Sequence, residues 1–218
     1  MSIQNKRTLD VYMKTGDMYL KNSAEHDKKN PARAEQKRQA LHKLITQSFT
    51  DFPENAKVFE IGSGEGFNSK FMQDLGYEVT AGDVPKDFIE ATETLGIKTI
   101  KFDVLEDDFP EKYYGVFCWR VFVHFTKLDA EMALQKVYDA LEDGGVFIFN
   151  AINKEETGID GEWKDFEGDY HMGIKRYYSY FTEQFLSDAI KKTGFKIKNF
   201  HKEGGDTGKK WLVYVLEK

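Results

Sequence analysis

A chain of 218 residues has room for one domain with a full core and is short for two independent ones. Its formal charge of −6 and 31% charged residues are those of an ordinary water-soluble globular protein and do not favour a phosphate-backbone partner. One cysteine, Cys118, excludes an intramolecular disulfide, and no window reaches the roughly 18 apolar residues of a membrane span. A reducing, cytoplasmic setting is therefore expected, because the N-terminus also lacks a signal-peptide pattern.

Residues 1–50 are expected to form an N-terminal helical cap. In "EQKRQALHKLITQSF", Ala40, Leu41, Leu44, Ile45 and Phe49 recur at helical spacing, and Pro31 after Asn30 marks a helix start. The polar stretch "KNSAEHDKKN" before it reads as a loop with solvated charges. Residues 51–218 then alternate. "KVFEI" is a strand, "FNSKFMQDLG" a helix, "YEVTAGD" a strand, "KDFIEATETLG" a helix and "IKTIKFD" a third strand. "GVFCWRVFV" is a fourth strand, "TKLDAEMALQKVYDALEDGG" a long helix with Thr126 and Asp129 at capping-box spacing, and "GVFIFNAI" a fifth strand. Such alternation predicts an α/β, doubly wound sheet, mostly parallel, with helices on both faces. The rhythm breaks at about 153–181, a segment long enough to be a lid. It resumes with the helix "TEQFLSDAIKKTG" and two strands joined by "GGDTG", a C-terminal antiparallel hairpin completing seven strands.

The glycine turn in "VFEIGSGEG" follows the first strand and opens a helix, a place where backbone approaches a ligand closely. Asp83 ends the next strand, 21 positions after Gly62, where a carboxylate meets a ribose diol in a doubly wound sheet. Glu60, two residues before Gly62, would oppose a pyrophosphate and suits an ammonium, directly or through water. S-adenosylmethionine has a ribose, an ammonium and no phosphate, so it is preferred to a dinucleotide.

With these motifs the chain, over roughly residues 35–218, resembles the class I S-adenosylmethionine-dependent methyltransferases, in their small-molecule branch. "VFEIGSGEG" resembles the family's first motif, with Glu60, Gly62, Ser63, Gly64 and Gly66, and "VTAGDVP" its second, with Asp83 and Val84. "KFDVLED" resembles the adenine-holding segment, which implies roles for Asp103 and Val104. "GVFCWRVFVHF" resembles the fourth-strand motif, which places Cys118, Trp119 and Arg120 beside the cofactor. The prolines and aromatic of the base-methylating branches are missing from "CWRVF", and no carboxylate stands there for a metal, so neither that chemistry nor a metal is expected.

Methyl transfer needs alignment, exclusion of water and, for a hydroxyl acceptor, a base. His124, just past the fourth strand, is the first candidate, expected to follow a strand end near Val121 or Val123. Its structural alternative is packing under Phe125. His171 is the second candidate, as base or substrate contact; His26 and His42 read as surface residues and His201 as part of the edge hairpin. Trp163, Tyr170 and Tyr177 are assigned to the acceptor's wall, Tyr178 and Tyr180 to anchoring the segment on the sheet. Tyr12 and Tyr19 would cover the cofactor, as N-terminal segments do in similar enzymes, while Arg33 and Lys37 read as a solvated helix face. The expected activity is O- or N-methylation of a small-molecule acceptor, without membrane or nucleic-acid partner and with the oligomeric state open. An RNA or protein methyltransferase, supported by the basic stretches "DKKNPARAEQKR" and "AIKKTGFKIK", and a non-catalytic cofactor-binding module are the alternatives.

Overall fold

The computed structural model describes residues 1–153, 158–165, 174–204 and 210–218. Strands rich in apolar residues organise the molecule. The strands β1 (Lys57–Ile61), β2 (Glu78–Asp83), β3 (Lys98–Lys101), β4 (Tyr113–Cys118), β5 (Leu141–Asn153), β8 (Lys196–Gly204) and β9 (Lys210–Glu217) form one sheet in the order β3-β2-β1-β4-β5-β9-β8. The first five pair in parallel, and β9 runs antiparallel to both β5 and β8. Val58, Phe59, Ile61, Val116, Phe117, Phe147, Ile148 and Phe149 are all buried, as strands covered on both faces require. One face packs on α5 (Lys127–Ala140) and α6 (Glu183–Thr193), the other on α2 (Pro31–Ser48) and α3 (Phe67–Asp74). Strand order reverses between β1 and β4, so the crevice at their carboxyl ends is the switch point where open α/β sheets bind ligands.

Several expectations are corrected. The polar stretch of residues 21–29 is helical, the end of α1 (Ile3–Lys29). Nothing between Asp17 and Asn30 breaks a helix, and Asp27 pairs with Arg38 of α2 at 2.8 Å. The fourth strand stops at Cys118, because Arg120 takes a positive φ of 62° and a one-turn 3-10 helix follows at Phe122–His124. Helix α5 starts on the expected Thr126–Asp129 capping box but ends at Ala140; Leu141 turns extended, buries its side chain and pairs with Tyr113. Within the expected lid lies a separate two-stranded antiparallel sheet, β6 (Gly161–Asp165) with β7 (Lys175–Ser179). Tyr180 anchors this hairpin, buried against Val123 and Ile152, with Tyr178 packed alongside. The turn at 205–209 falls outside the described residues.

Helix α1 leaves the bundle side and crosses the carboxyl ends of the strands, touching α4 (Lys86–Glu93), the 3-10 turn and β7. At its start the Ser2 amide donates to Asp129 of α5 (2.9 Å) and the terminal ammonium lies 3.3 Å from Glu106. Midway, Gly16 lets Asp87 of α4 come close: a Cβ there would stand 2.7 Å from Oδ2, the atom that accepts the Asp17 amide at 3.0 Å.

Candidate active site

The floor of the crevice is the turn after β1. The Gly62 and Ser63 amides donate to the Gly82 carbonyl at 2.8 and 3.3 Å, tying the turn to β2. Gly64 has φ 53°, and a Cβ there would meet nothing within 4 Å: the backbone faces open space in a conformation that favours glycine. Gly66 begins α3, and Ser63 Oγ lies 3.3 Å from Thr92 Oγ1. Asp83 accepts the Gly64 amide on Oδ2 and the Val84 amide on Oδ1, each at 2.8 Å. Burial raises its carboxyl to about 6, against the lowering effect of those two amides. Asp103 is half-buried and accepts the Leu105 amide at 3.0 Å, and burial raises its carboxyl too. Val104 beside it is packed in the core.

Other candidates sit differently from the expectation. Glu60 is 1% exposed and faces α3, accepting from the Ser69 hydroxyl and from Asn68 Nδ2 at 3.2 Å. These bonds tie it to the start of α3, and burial raises its carboxyl to about 7. The Cys118 thiol is in the core beside Phe122 and Phe149, and burial pushes it well up, so only its backbone borders the crevice. Trp119 stacks on Phe117, centroids 5.8 Å apart. Exposed Arg120 donates its amide to Asn150 Oδ1 at 2.7 Å and lies 5.9 Å from the Trp211 ring.

The roof is α1. Tyr12 and Tyr19, seven residues apart and thus on one helix face, make edge contacts with each other at 5.9 Å and with Phe88 at 5.9 and 5.4 Å. Both residues are half-buried. Burial pushes both phenols up, and charges on Arg176, and for Tyr19 first Arg120, pull the other way.

His124 completes this wall. It is 7% exposed, with Nδ1 2.6 Å from the Tyr177 carbonyl oxygen and Nε2 3.0 Å from Tyr12 Oη. A carbonyl only accepts, so Nδ1 carries a proton; in the neutral form of the ring Nε2 then presents a lone pair to which Tyr12 can donate. Tyr12 Oη in turn accepts from Arg176, whose other amino group donates to Tyr178 Oη at 3.1 Å. His124, Tyr12, Arg176 and Tyr178 thus form one partly buried phenol, imidazole and guanidinium chain.

Side chains alternate along β7, so Arg176 and Tyr178 share the face that meets the crevice, and Tyr177 is on the other. Trp163, cross-strand partner of Tyr177, goes with it, its ring 5.6 Å from that of Tyr177. The Trp163 and Tyr177 rings, expected at the acceptor's wall, thus lie on the hairpin face away from His124, which only the Tyr177 backbone reaches. Sequence reasoning passed over Arg176 and Phe88 and read Tyr178 as a mere anchor. Period-2 alternation in "KRYYS" was the available signal for Arg176 and Tyr178. Tyr170 and His171 lie outside the described residues.

An amide-lined turn, a carboxylate at the next strand end and a roofed polar pocket suit a nucleoside ligand and a proton-moving step beside it. Residues 33–199 match a family model described as "Methyltransferase domain". No curated protein sequence matches the chain. Among solved structures, a S-adenosylmethionine-dependent methyltransferase from Clostridium acetobutylicum aligns with TM-score 0.69 at 13% identity, over 92% of this chain and 98% of that one. A SAM-dependent methyltransferase from Methanosarcina mazei aligns with TM-score 0.66 at 16% identity, over 77% and 94%. Magnesium protoporphyrin IX methyltransferase from Synechocystis with bound SAM aligns with TM-score 0.64 at 12% identity, over 85% and 79%.

Proposed function

The chain belongs to the methyltransferase-domain family, and from that premise we propose that it transfers the methyl group of S-adenosylmethionine to the oxygen or nitrogen of a small molecule. The observation that carries the acceptor class is the roof: α1 lays Tyr12 and Tyr19 over the crevice and ties them to α4, the 3-10 turn and β7. A polymer would need that face open. The net charge of −6 weighs against RNA as well.

The residues present fit the cofactor. Asp83, already aligned by two amides, would take the ribose hydroxyls, and the open backbone at Gly64 would lie against the amino-acid part. Asp103 and Val104 would border the adenine, with the backbone of Cys118, Trp119 and Arg120 on its other side. When bound, S-adenosylmethionine supplies a methyl group already activated on a sulfonium.

The chain's own work is to hold, dry and deprotonate. His124 is the base: Tyr177 fixes its tautomer through Nδ1, so the proton is taken at Nε2. Tyr12 stands at that atom. Because burial keeps the phenol protonated against the pull of Arg176, Tyr12 serves as a relay, giving its proton to His124 as it takes the acceptor's. Arg176, donating to the same phenol oxygen, keeps Tyr12 aimed.

The test uses radiolabelled S-adenosylmethionine and cell extract separated into low-mass, RNA and protein fractions. Protein-dependent label is expected in the low-mass fraction. Label confined to RNA or protein would overturn the acceptor class, and binding of S-adenosylhomocysteine without transfer to any fraction would favour a non-catalytic module.

A further inference from the structure

The outer face of the β6–β7 hairpin carries a second cavity. A groove of about 360 Å³ opens between α1 and the hairpin, lined by Arg7, Val11, Trp163, Ile174 and Lys175. That volume is within the range of small-molecule sites. We propose that this groove binds a small amphipathic oxyanion, a carboxylate or phosphate head on an apolar body, and that its occupant braces α1 over the crevice.

The groove is separate from the methyl-transfer crevice. Lys175 and Tyr177 point to the face of β7 opposite Arg176 and Tyr178, and Trp163 shares their side through its register with Tyr177. Val11 and Arg7, one helical turn apart, bring the flank of α1 to that face, while Tyr12 enters the crevice.

Its chemistry is that of an oxyanion site. The Arg7 guanidinium carbon lies 4.8 Å from the Trp163 ring centroid. A guanidinium resting on an aromatic face keeps its in-plane N–H fork for bidentate contact with a carboxylate or phosphate. Lys175 adds a second positive charge. Among the described residues no carboxylate lies within ion-pair distance of Arg7 or Lys175, although Asp165 faces Lys175 in the strand register. Val11, Ile174 and the edge of Trp163 supply apolar walls for the body of the ligand. A chain of net charge −6 that sets two cations around an apolar recess has the complement of an amphipathic anion there.

The bracing follows from where the walls come from. Arg7 and Val11 belong to α1, and Trp163, Ile174 and Lys175 to the hairpin or its edge. Beside the groove the Tyr177 amide donates to Thr8 Oγ1 at 3.0 Å, so the two elements already meet here. A ligand touching both favours the arrangement in which α1 is down. By linkage it must then raise affinity for whatever α1 covers, and that ligand must raise affinity for the anion.

Calorimetry on the full chain tests this with octanoate, octyl phosphate and the neutral octan-1-ol, each titrated with and without saturating S-adenosylhomocysteine. One anion or both should bind one to one, the better of the two identifying the head group, and the alcohol should bind at least about tenfold more weakly. Arg7→Ala and Lys175→Ala should each weaken the anion about tenfold or more, with unliganded melting temperatures confirming that the variants fold. The bound anion should tighten S-adenosylhomocysteine about fivefold. No anion binding, equal binding of the alcohol, wild-type affinity in both variants, or competition with S-adenosylhomocysteine would overturn the site. Anion binding that leaves nucleoside affinity unchanged would overturn the bracing. Titrations without nucleoside keep the result independent of the cofactor assignment.

Discussion

Two buried carboxyls, Glu60 and Asp83, flank the glycine turn, and both are held above their ordinary values by burial. A carboxyl that binds protons more readily folded than unfolded favours the fold in acid and opposes it once ionised. For Glu60 this cost grows from the unfolded value near 4.5 up to about 7 and is complete above that. Glu60→Gln removes the charge and keeps one oxygen for Asn68, while its amide nitrogen can donate to the Ser69 hydroxyl, which accepts as well as donates. It should melt above the wild type at pH 8, by the equivalent of roughly 1–3 kcal/mol, with the advantage shrinking as pH falls toward 4.5. Unfolding curves across that range check it; a constant difference would mean that burial leaves the Glu60 carboxyl at its unfolded value. Further out, His124→Ala should lower turnover about 10²–10⁴-fold while S-adenosylhomocysteine still binds, since the ring touches Tyr12 and Tyr177 rather than the glycine turn. Tyr12→Phe keeps the ring contacts with Phe88 and removes only the relayed proton, so its loss should appear in turnover at unchanged cofactor affinity. Equal turnover of the wild type and both variants would leave alignment and dryness as the whole mechanism.

At the scale of elements, α1 and α5 contrast. Helix α5 buries Ala130, Ala133, Leu134, Val137 and Ala140, whereas α1 buries Asn5, Thr8, Thr15 and Gly16. A helix held by polar contacts, each worth about 0.5–1.5 kcal/mol net, opens more easily than one held by core packing. Amides of α1 should therefore exchange faster than those of α5 in the free protein, and S-adenosylhomocysteine should slow residues 8–19 most. Equal protection of both helices without ligand would remove α1 as the moving roof. The same contrast explains what the sequence revealed. Strands such as "KVFEI" and "GVFIFN" announce themselves because burial on both faces demands unbroken apolar runs, and the glycine turn with Asp83 marks the end of the crevice proposed for the cofactor. The end of α1 was hidden because a solvated helix held by ion pairs, such as Asp27 with Arg38, has the composition of a loop. The β6–β7 hairpin was hidden because "GEWKD" and "KRYYS" pack little into the core. Arg176 is legible only once the register of β7 is known, since its partners Tyr12 and Tyr178 come from 164 and 2 positions away.

Across the whole molecule, the crevice draws on the ends of β1, β2, β3 and β4 and on α1, so the proposed site spans parts of the chain from residue 12 to residue 124. The two core clusters share the same sheet, with Phe117 facing one and Val116 the other from adjacent positions of β4. Such sharing predicts that sheet and helices unfold together, and that a ligand in the crevice moves the entire transition rather than part of it. S-adenosylhomocysteine at 100 times its dissociation constant adds about 2.7 kcal/mol by mass action. For a chain of 218 residues that corresponds to a rise of roughly 5–10 °C in melting temperature. NADH should give no shift, because Glu60 and Asp83 provide no partner for a pyrophosphate. Asp83→Ala should abolish most of the S-adenosylhomocysteine shift, since the ribose would lose charge-assisted bonds worth about 1.5–3 kcal/mol each. Scanning calorimetry checks all three at once. A single peak that moves intact supports one cooperative unit built around the crevice. A peak that splits, with only its lower part moving, would show that α1 and the cofactor's half of the sheet melt apart from the rest.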